Sequence, residues 1–161
     1  MAWCIITNMK RRTDGIIVRQ PGDTDFEGIL ELRWRVLDEP ISCSRETELT
    51  KNDLRPEAIH VAAFDGNVVI STVRLDPYPK LGEHVYLVRK MATDPKYRRR
   101  GIGADVLLEA ERISAGRGVT RLVLHSRPDS VAFYKTLGYR LNGRTEMHDG
   151  VEDPEMEKTI T

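Results

Sequence analysis

Asp94-Pro95-Lys96-Tyr97-Arg98-Arg99-Arg100-Gly101-Ile102-Gly103-Ala104-Asp105-Val106-Leu107-Leu108 reads as a strand end, a basic turn with two glycines, and the start of a helix. The first N–H groups of a helix have no partner inside it, and the helix macrodipole places partial positive charge there. Glycines let a ligand's phosphates approach the backbone, so the segment is suited to an anion such as a pyrophosphate. A P-loop is excluded, because no Gly-Lys-Ser/Thr follows the glycines. A dinucleotide fingerprint is excluded as well. Val106 stands where a third Gly or Ala is required, and His125 and Ser126 stand where the next strand would end in an acid. On these residues alone a solvated basic bend is the plainer reading, and the rest of the chain decides.

Downstream, Ile102, Val106, Ala110 and Ile113 repeat at helical spacing until Gly116 and Gly118. Arg121 to His125 then reads as a buried strand, Ser130 to Leu137 as a helix closed by Gly138, and Tyr139 to Asn142 as another strand. Upstream, the β-branched runs Ile59 to Phe64 and Val68 to Leu75 flank Asp65-Gly66-Asn67, which predicts a hairpin, with a third strand over Val85 to Ala92. Gly15 to Arg19 predicts a strand. Thr24 is expected to cap a helix carrying Phe26, Ile29, Leu30, Trp34 and Leu37, which Pro40 stops, and a second short helix is expected near Ser44. The order β-α-(α)-β-β-β-α-β-α-β-β, mixing hairpins with one crossover, predicts an α/β fold with a mixed, largely antiparallel central sheet flanked by helices.

A length of 161 residues suits one domain spanning 1–161. The chain is 40% hydrophobic and 31% charged, which excludes a disordered or collagen-like chain. Lys+Arg and Asp+Glu each number 25, so no global positive field favours nucleic acid or an anionic membrane. Charge is instead local: six basic residues between Arg89 and Arg100 face only Asp94, and six acids crowd Glu146 to Glu157. Trp3-Cys4-Ile5-Ile6 is too short for a signal-peptide core and no apolar run approaches a membrane span, so a cytoplasmic setting is expected. Cys4 and Cys43 have no His or Cys at ligand spacing; they are expected to be buried or incidental thiols, and no metal site is signalled.

Arg98-Arg99-Arg100-Gly101-Ile102-Gly103 resembles the Arg/Gln-x-x-Gly-x-Gly/Ala signature of the GNAT superfamily of acyl-CoA N-acyltransferases. Ser130-Val131-Ala132-Phe133-Tyr134-Lys135-Thr136-Leu137-Gly138-Tyr139 resembles a second hallmark of that superfamily, a short helix bearing Tyr and ending in Leu-Gly-aromatic. The resemblance covers the chain from about Ile59 onward. It implies a GNAT-like fold and a reaction in which an acetyl group passes from acetyl-CoA to a primary amine. The amides from Arg99 through Ala104, in the stretch Arg98, Arg99, Arg100, Gly101, Ile102, Gly103, Ala104, would hold the coenzyme A pyrophosphate. Met91, Ala92 and Thr93 lie on the strand whose main chain would meet the pantetheine arm and the thioester carbonyl.

The transfer needs an amine that loses a proton, a donor for the carbonyl oxygen, and a proton for the departing sulfur. Tyr134 occupies the family's sulfur-facing position, where a phenol can donate to a developing thiolate; otherwise its ring is core packing. Family members often carry a Glu on the strand before the loop, and Val85 to Met91 contains no acid. His125, at a strand end, is a candidate base, against the plainer reading of a strand-end residue; a water relay would need no side chain at all. Two other readings stand: a non-catalytic acyl-CoA-binding or regulatory module of the same fold, and a nucleic-acid contact by Lys96 to Arg100, which the zero net charge disfavours. The acceptor is an amine on a small molecule or protein, its identity open. The acids of the Glu27 to Leu54 region and of the final hairpin favour a cationic one, and a homodimer is compatible with exposed sheet edges.

Overall fold

A computed structural model describes residues 9–41 and 49–161. The expected helix near Ser44, and both cysteines, lie outside the described residues. Eight strands form one sheet: β1 (Lys10–Arg11), β2 (Ile17–Arg19), β3 (Ile59–Asp65), β4 (Val68–Pro77), β5 (Val85–Thr93), β6 (Arg121–His125), β7 (Arg140–His148) and β8 (Val151–Thr159). Their spatial order is β1-β2-β3-β4-β5-β6-β8-β7, and every neighbouring pair is antiparallel except β5 with β6. Three α-helices flank it: α1 (Phe26–Arg33), α2 (Ile102–Gly116) and α3 (Val131–Thr136).

The central strands are apolar on both faces because both faces are covered. Val61 and Ala63 of β3 pack with Ile70 and Val73 against Ile102, Val106, Leu107 and Ala110 of α2. The alternate residues Ala62 and Phe64 turn the other way, joining Val69 and Ala92 against Ile29 and Leu32 of α1. Period-2 alternation thus places α1 and α2 on opposite faces of the sheet.

The predicted hairpin, β5, α2 and β6 stand where the sequence put them. Three local expectations change. Thr24 does not cap α1; a 3-10 turn over Asp23–Asp25 leads in, and the Gly22 amide donates instead to Asp25 Oδ2 at 2.8 Å. The helix does not run to Pro40. It widens after Arg33 into a π turn, Trp34–Asp38, and Pro40 lies in a short 3-10 turn beyond. The final strands are longer than Tyr139 to Asn142 predicts, because β7 and β8 pair with each other out to the His148–Val151 turn.

A buried ion network fixes α1 and the segment before β3 to the sheet. Asp53 accepts from Arg33 Nη1 at 2.9 Å and from Arg74 Nη1 at 2.6 Å, while Arg74 Nε reaches Asp76 Oδ2 at 3.0 Å. Burial alone would raise the Asp53 pKa, but the Arg33 charge and hydrogen bonds from Arg74 and Thr50 outweigh it and hold the carboxyl well below the usual range.

Candidate active site

The loop between β5 and α2 is shaped by backbone conformation. Arg99 and Gly101 both adopt positive φ, +61° and +73°, and Gly101 is the N-cap of α2. Among the described residues no group accepts a hydrogen bond from the amides of residues 99 through 104; the first bonded amide is Asp105, which donates to the Gly101 carbonyl at 3.0 Å. Six consecutive amides at a helix start therefore remain available to an anion. The loop is braced from the opposite end of the sheet. Arg12 Nη2 donates to the Arg100 carbonyl at 2.6 Å, Arg12 also pairs with Asp105, Lys10 Nζ reaches Asp105 at 2.7 Å, and Arg100 meets Asp14 at 3.1 Å. Lys10 and Arg12 hold the one acid in the first turn of α2 away from that anion position.

Gly103 is required for packing. A Cβ there would lie 3.0 Å from Thr93 Oγ1 and 3.3 Å from Met91 Cε, so the glycine lets α2 settle against β5. Thr93 Oγ1 is itself hydrogen-bonded to Ser71 Oγ at 2.8 Å and cannot simply swing aside.

Beside this loop the sheet opens. β5 and β6 pair only over Val85–Arg121, Tyr86–Leu122 and Leu87–Val123. Two steps further, β5 carries one surplus residue against β4: Thr72 faces Ala92, Arg74 faces Arg89, and Lys90 takes φ +53°. This bulge bends β5 away from β6, and the gap becomes a cleft of about 550 Å³. Met91, Ala92, Thr93 and Arg98 line it, and so do Tyr134 and His125, while Arg99, Arg100, Gly101, Ile102, Gly103 and Ala104 lie outside its lining. Arg100 is drawn instead to Asp14, and Ile102 is buried in the core, so both contribute to the loop through their backbones.

Tyr134 projects from α3 between Phe133 and Tyr139, with ring centroids 5.1 and 5.9 Å away. Burial pushes its phenol up to about 12. Tyr139 serves a different purpose: its hydroxyl donates to Glu111 at 2.9 Å inside the core. His125 is clamped, its Nδ1 2.7 Å from Glu146 and its Nε2 2.9 Å from Glu155. To take a proton from an amine it must release one of them. Residues that sequence reasoning missed complete the walls: Asp38 and Leu37 from the π turn, Ser126 and Arg127 after β6, and Asp149 and Asp153 from the last hairpin, where His148 also lines the cleft. They come from three separate places in the chain, and no local motif marks them. No group of metal-binding side chains occurs among the described residues, nor any helix long and apolar enough to cross a membrane.

Residues 26–139 match the model of the Acetyltransferase (GNAT) family, and the chain belongs to that family of acyl-CoA-dependent N-acyltransferases. A Bacillus subtilis protein assigned as an acetyltransferase is 27% identical over 130 residues, 80% of this chain and 86% of the relative. The fold superposes on the PaiA N-acetyltransferase of Thermoplasma acidophilum in complex with coenzyme A, at 25% identity and a TM-score of 0.68, covering 89% of this chain and 98% of that one. An aminoglycoside 6′-N-acetyltransferase complexed with coenzyme A shares the fold at 20% identity and a TM-score of 0.73, covering 89% and 97%.

Proposed function

We propose that this chain transfers the acetyl group of acetyl-CoA directly to a primary amine on a small-molecule or protein acceptor, with Tyr134 as general acid. The observation that carries the reading is the cleft that runs from Arg98, next to the six available amides of residues 99 through 104, to the half-buried phenol of Tyr134.

The backbone donors from Arg99 to Ala104 suit a pyrophosphate, and Arg98 and Arg127 add positive charge beside it. The edge of β5 beyond Leu87 is released from β6, which leaves main-chain groups of Met91 and Thr93 to align a pantetheine arm as a further strand would. The thioester would then rest in the gap beside Tyr134. A phenol held neutral up to about 12 keeps its proton across the working range, so it is always available to hydrogen-bond the departing sulfur. Attack by the amine forms the N–C bond, the C–S bond breaks, and the sulfur draws the phenolic proton.

Release of free coenzyme A from acetyl-CoA in the presence of an amine panel, read with a thiol reagent, tests the reaction. Amine-dependent release is expected, and cofactor affinity should fall from CoA to dephospho-CoA to pantetheine in calorimetry. Pantetheine binding as tightly as CoA would remove the loop from the cofactor site. We also propose a homodimer as compatible with β7, an exposed edge strand bearing Leu141 and Met147; sedimentation decides it.

A further inference from the structure

Asp153 on β8 is 4% exposed and lines the cleft, yet its Oδ1 has no hydrogen-bond partner among the described residues. Buried carboxylate oxygens are ordinarily satisfied, and an unpaired one on a side chain that lines a cavity can be met by a donor on whatever enters, as the carboxyl turns towards it. The surrounding carboxylates are differently placed. Glu155 is taken by His125 and by Asn142 Nδ2 at 2.7 Å, and Glu146, opposite Asp153 in the β7–β8 ladder, is taken by His125. The strand β5 wall offers no acid at all.

We infer that Asp153 is the general base, receiving the acceptor as an ammonium and taking its proton; this rests on the transferase reading above. The step balances: R–NH3+ and Asp153 carboxylate become R–NH2 and Asp153 carboxylic acid. The nitrogen lone pair so freed attacks the thioester carbon, and the sulfur leaves with the Tyr134 proton. Inside a cleft both ions of the encounter pair lose hydration, which favours collapse to the neutral amine and neutral acid. The other charged or titratable groups lining the cleft are Asp38 from the π turn, Arg89 and Lys90 from β5, Arg98 beyond it, His125, Arg127 and Asp129 from β6 and after, and His148 with Asp149 in the hairpin turn, while Glu146 lies opposite Asp153 in the ladder.

The test compares Asp153→Asn with the wild type on three alkylammonium acceptors, ethanolamine, glucosamine and an N-capped lysine, and on O-methylhydroxylamine, which is neutral at pH 7. At pH 7 the variant should lose about 10²–10⁴-fold in kcat/KM with any alkylammonium acceptor the wild type uses. The loss should shrink towards unity as pH rises to the amine's own pKa, and with O-methylhydroxylamine it should stay within about threefold. A uniform loss across all acceptors and all pH values would make Asp153 a structural residue and overturn the assignment, as would an unaffected variant. Circular dichroism and acetyl-CoA calorimetry on Asp153→Asn, with Asp153→Glu as a second variant that keeps the carboxylate, separate misfolding from lost chemistry. Partial recovery of the pH-dependent rate is expected for Glu. If the wild type transfers to none of the four acceptors, the acceptor reading fails and this assignment falls with it, while the calorimetry still decides whether the cofactor loop is correctly placed.

Discussion

The two ends of the cleft are built on different principles. At the loop end, beyond Arg98, the groups on offer are the backbone amides of residues 99 through 104, set by two positive-φ residues and a helix start, all within six consecutive positions. At the hairpin end the cleft is lined by side chains, Asp38, Asp149 and Asp153 among them, brought together from the π turn and the β7–β8 hairpin. A ligand common to a whole family can be held by main chain, which changes little with sequence. A ligand particular to one protein needs side chains, which change freely. The contrast explains why the first end can be read as a motif and the second cannot.

The largest effect that sharpens this contrast is expected at the junction of the two ends. Tyr134→Phe keeps the ring and removes one oxygen, so kcat should fall by about 10²–10⁴-fold with acetyl-CoA affinity nearly intact, measured where chemistry limits the rate. Full turnover in the variant would reduce Tyr134 to packing. Because burial holds the phenol near 12, loss of its proton should add no alkaline limb to the wild-type pH–rate profile below about pH 11.

Next in size is the support beneath the hairpin-side wall. Asp53→Asn leaves Arg33, which is 1% exposed, and Arg74 without their shared carboxylate, and should cost about 3–5 kcal/mol by denaturant titration. The sign of the pH effect follows from the depressed pKa: the stabilisation is complete above the unfolded value near 3.9 and is lost as pH falls below it. His60, whose pKa burial lowers, adds to the acid sensitivity, because below about pH 6.5 the unfolded chain binds a proton that the folded one resists. A variant with unchanged stability at pH 7 would show that α1 is held by its apolar face alone.

At the loop end, Gly103→Val should cost about 1–3 kcal/mol of stability by overpacking against Thr93 and Met91, and should weaken acetyl-CoA binding by lifting α2 from β5. Unchanged affinity in the folded variant would separate the loop from the cofactor. The smallest effect is expected for Arg12→Ala. It removes the brace to the Arg100 carbonyl and to Asp105, and should weaken acetyl-CoA by about two- to fivefold, within the range of partly exposed ion pairs. No change would mean that the loop holds its shape unaided.

The fold was largely legible because its signals are local. β-branched runs and a two-residue turn mark β3 and β4, and the apolar stripe from Ile102 to Ile113 marks α2. Features of the site that depend on pairing between distant strands were not. Nothing in Arg89-Lys90-Met91 announces a bulge, since the surplus residue is a lysine and not a glycine and is defined only against Thr72 and Arg74. Asp153 lies in a run of acids that reads as a solvated tail, and it is buried only because β8 inserts between β6 and β7. The Arg33–Asp53–Arg74 network likewise joins residues twenty and twenty-one positions apart.

The surplus residue at Lys90 also sets a parity. Side chains along a strand alternate faces, so one extra residue makes the two halves of β5 count from different origins: Leu87 and Ala92, paired with Asp76 and Thr72, share a face where an unbroken strand would set them on opposite ones. Removing Lys90 would restore the common count with Met91 opposite Val73, leave Met91 and Thr93 on their present faces, and let the β5–β6 ladder continue past Leu87 where the strands now part. The opening of the cleft is thus stored as one residue of extra chain length, and a deletion there would close it more completely than any change of side chain.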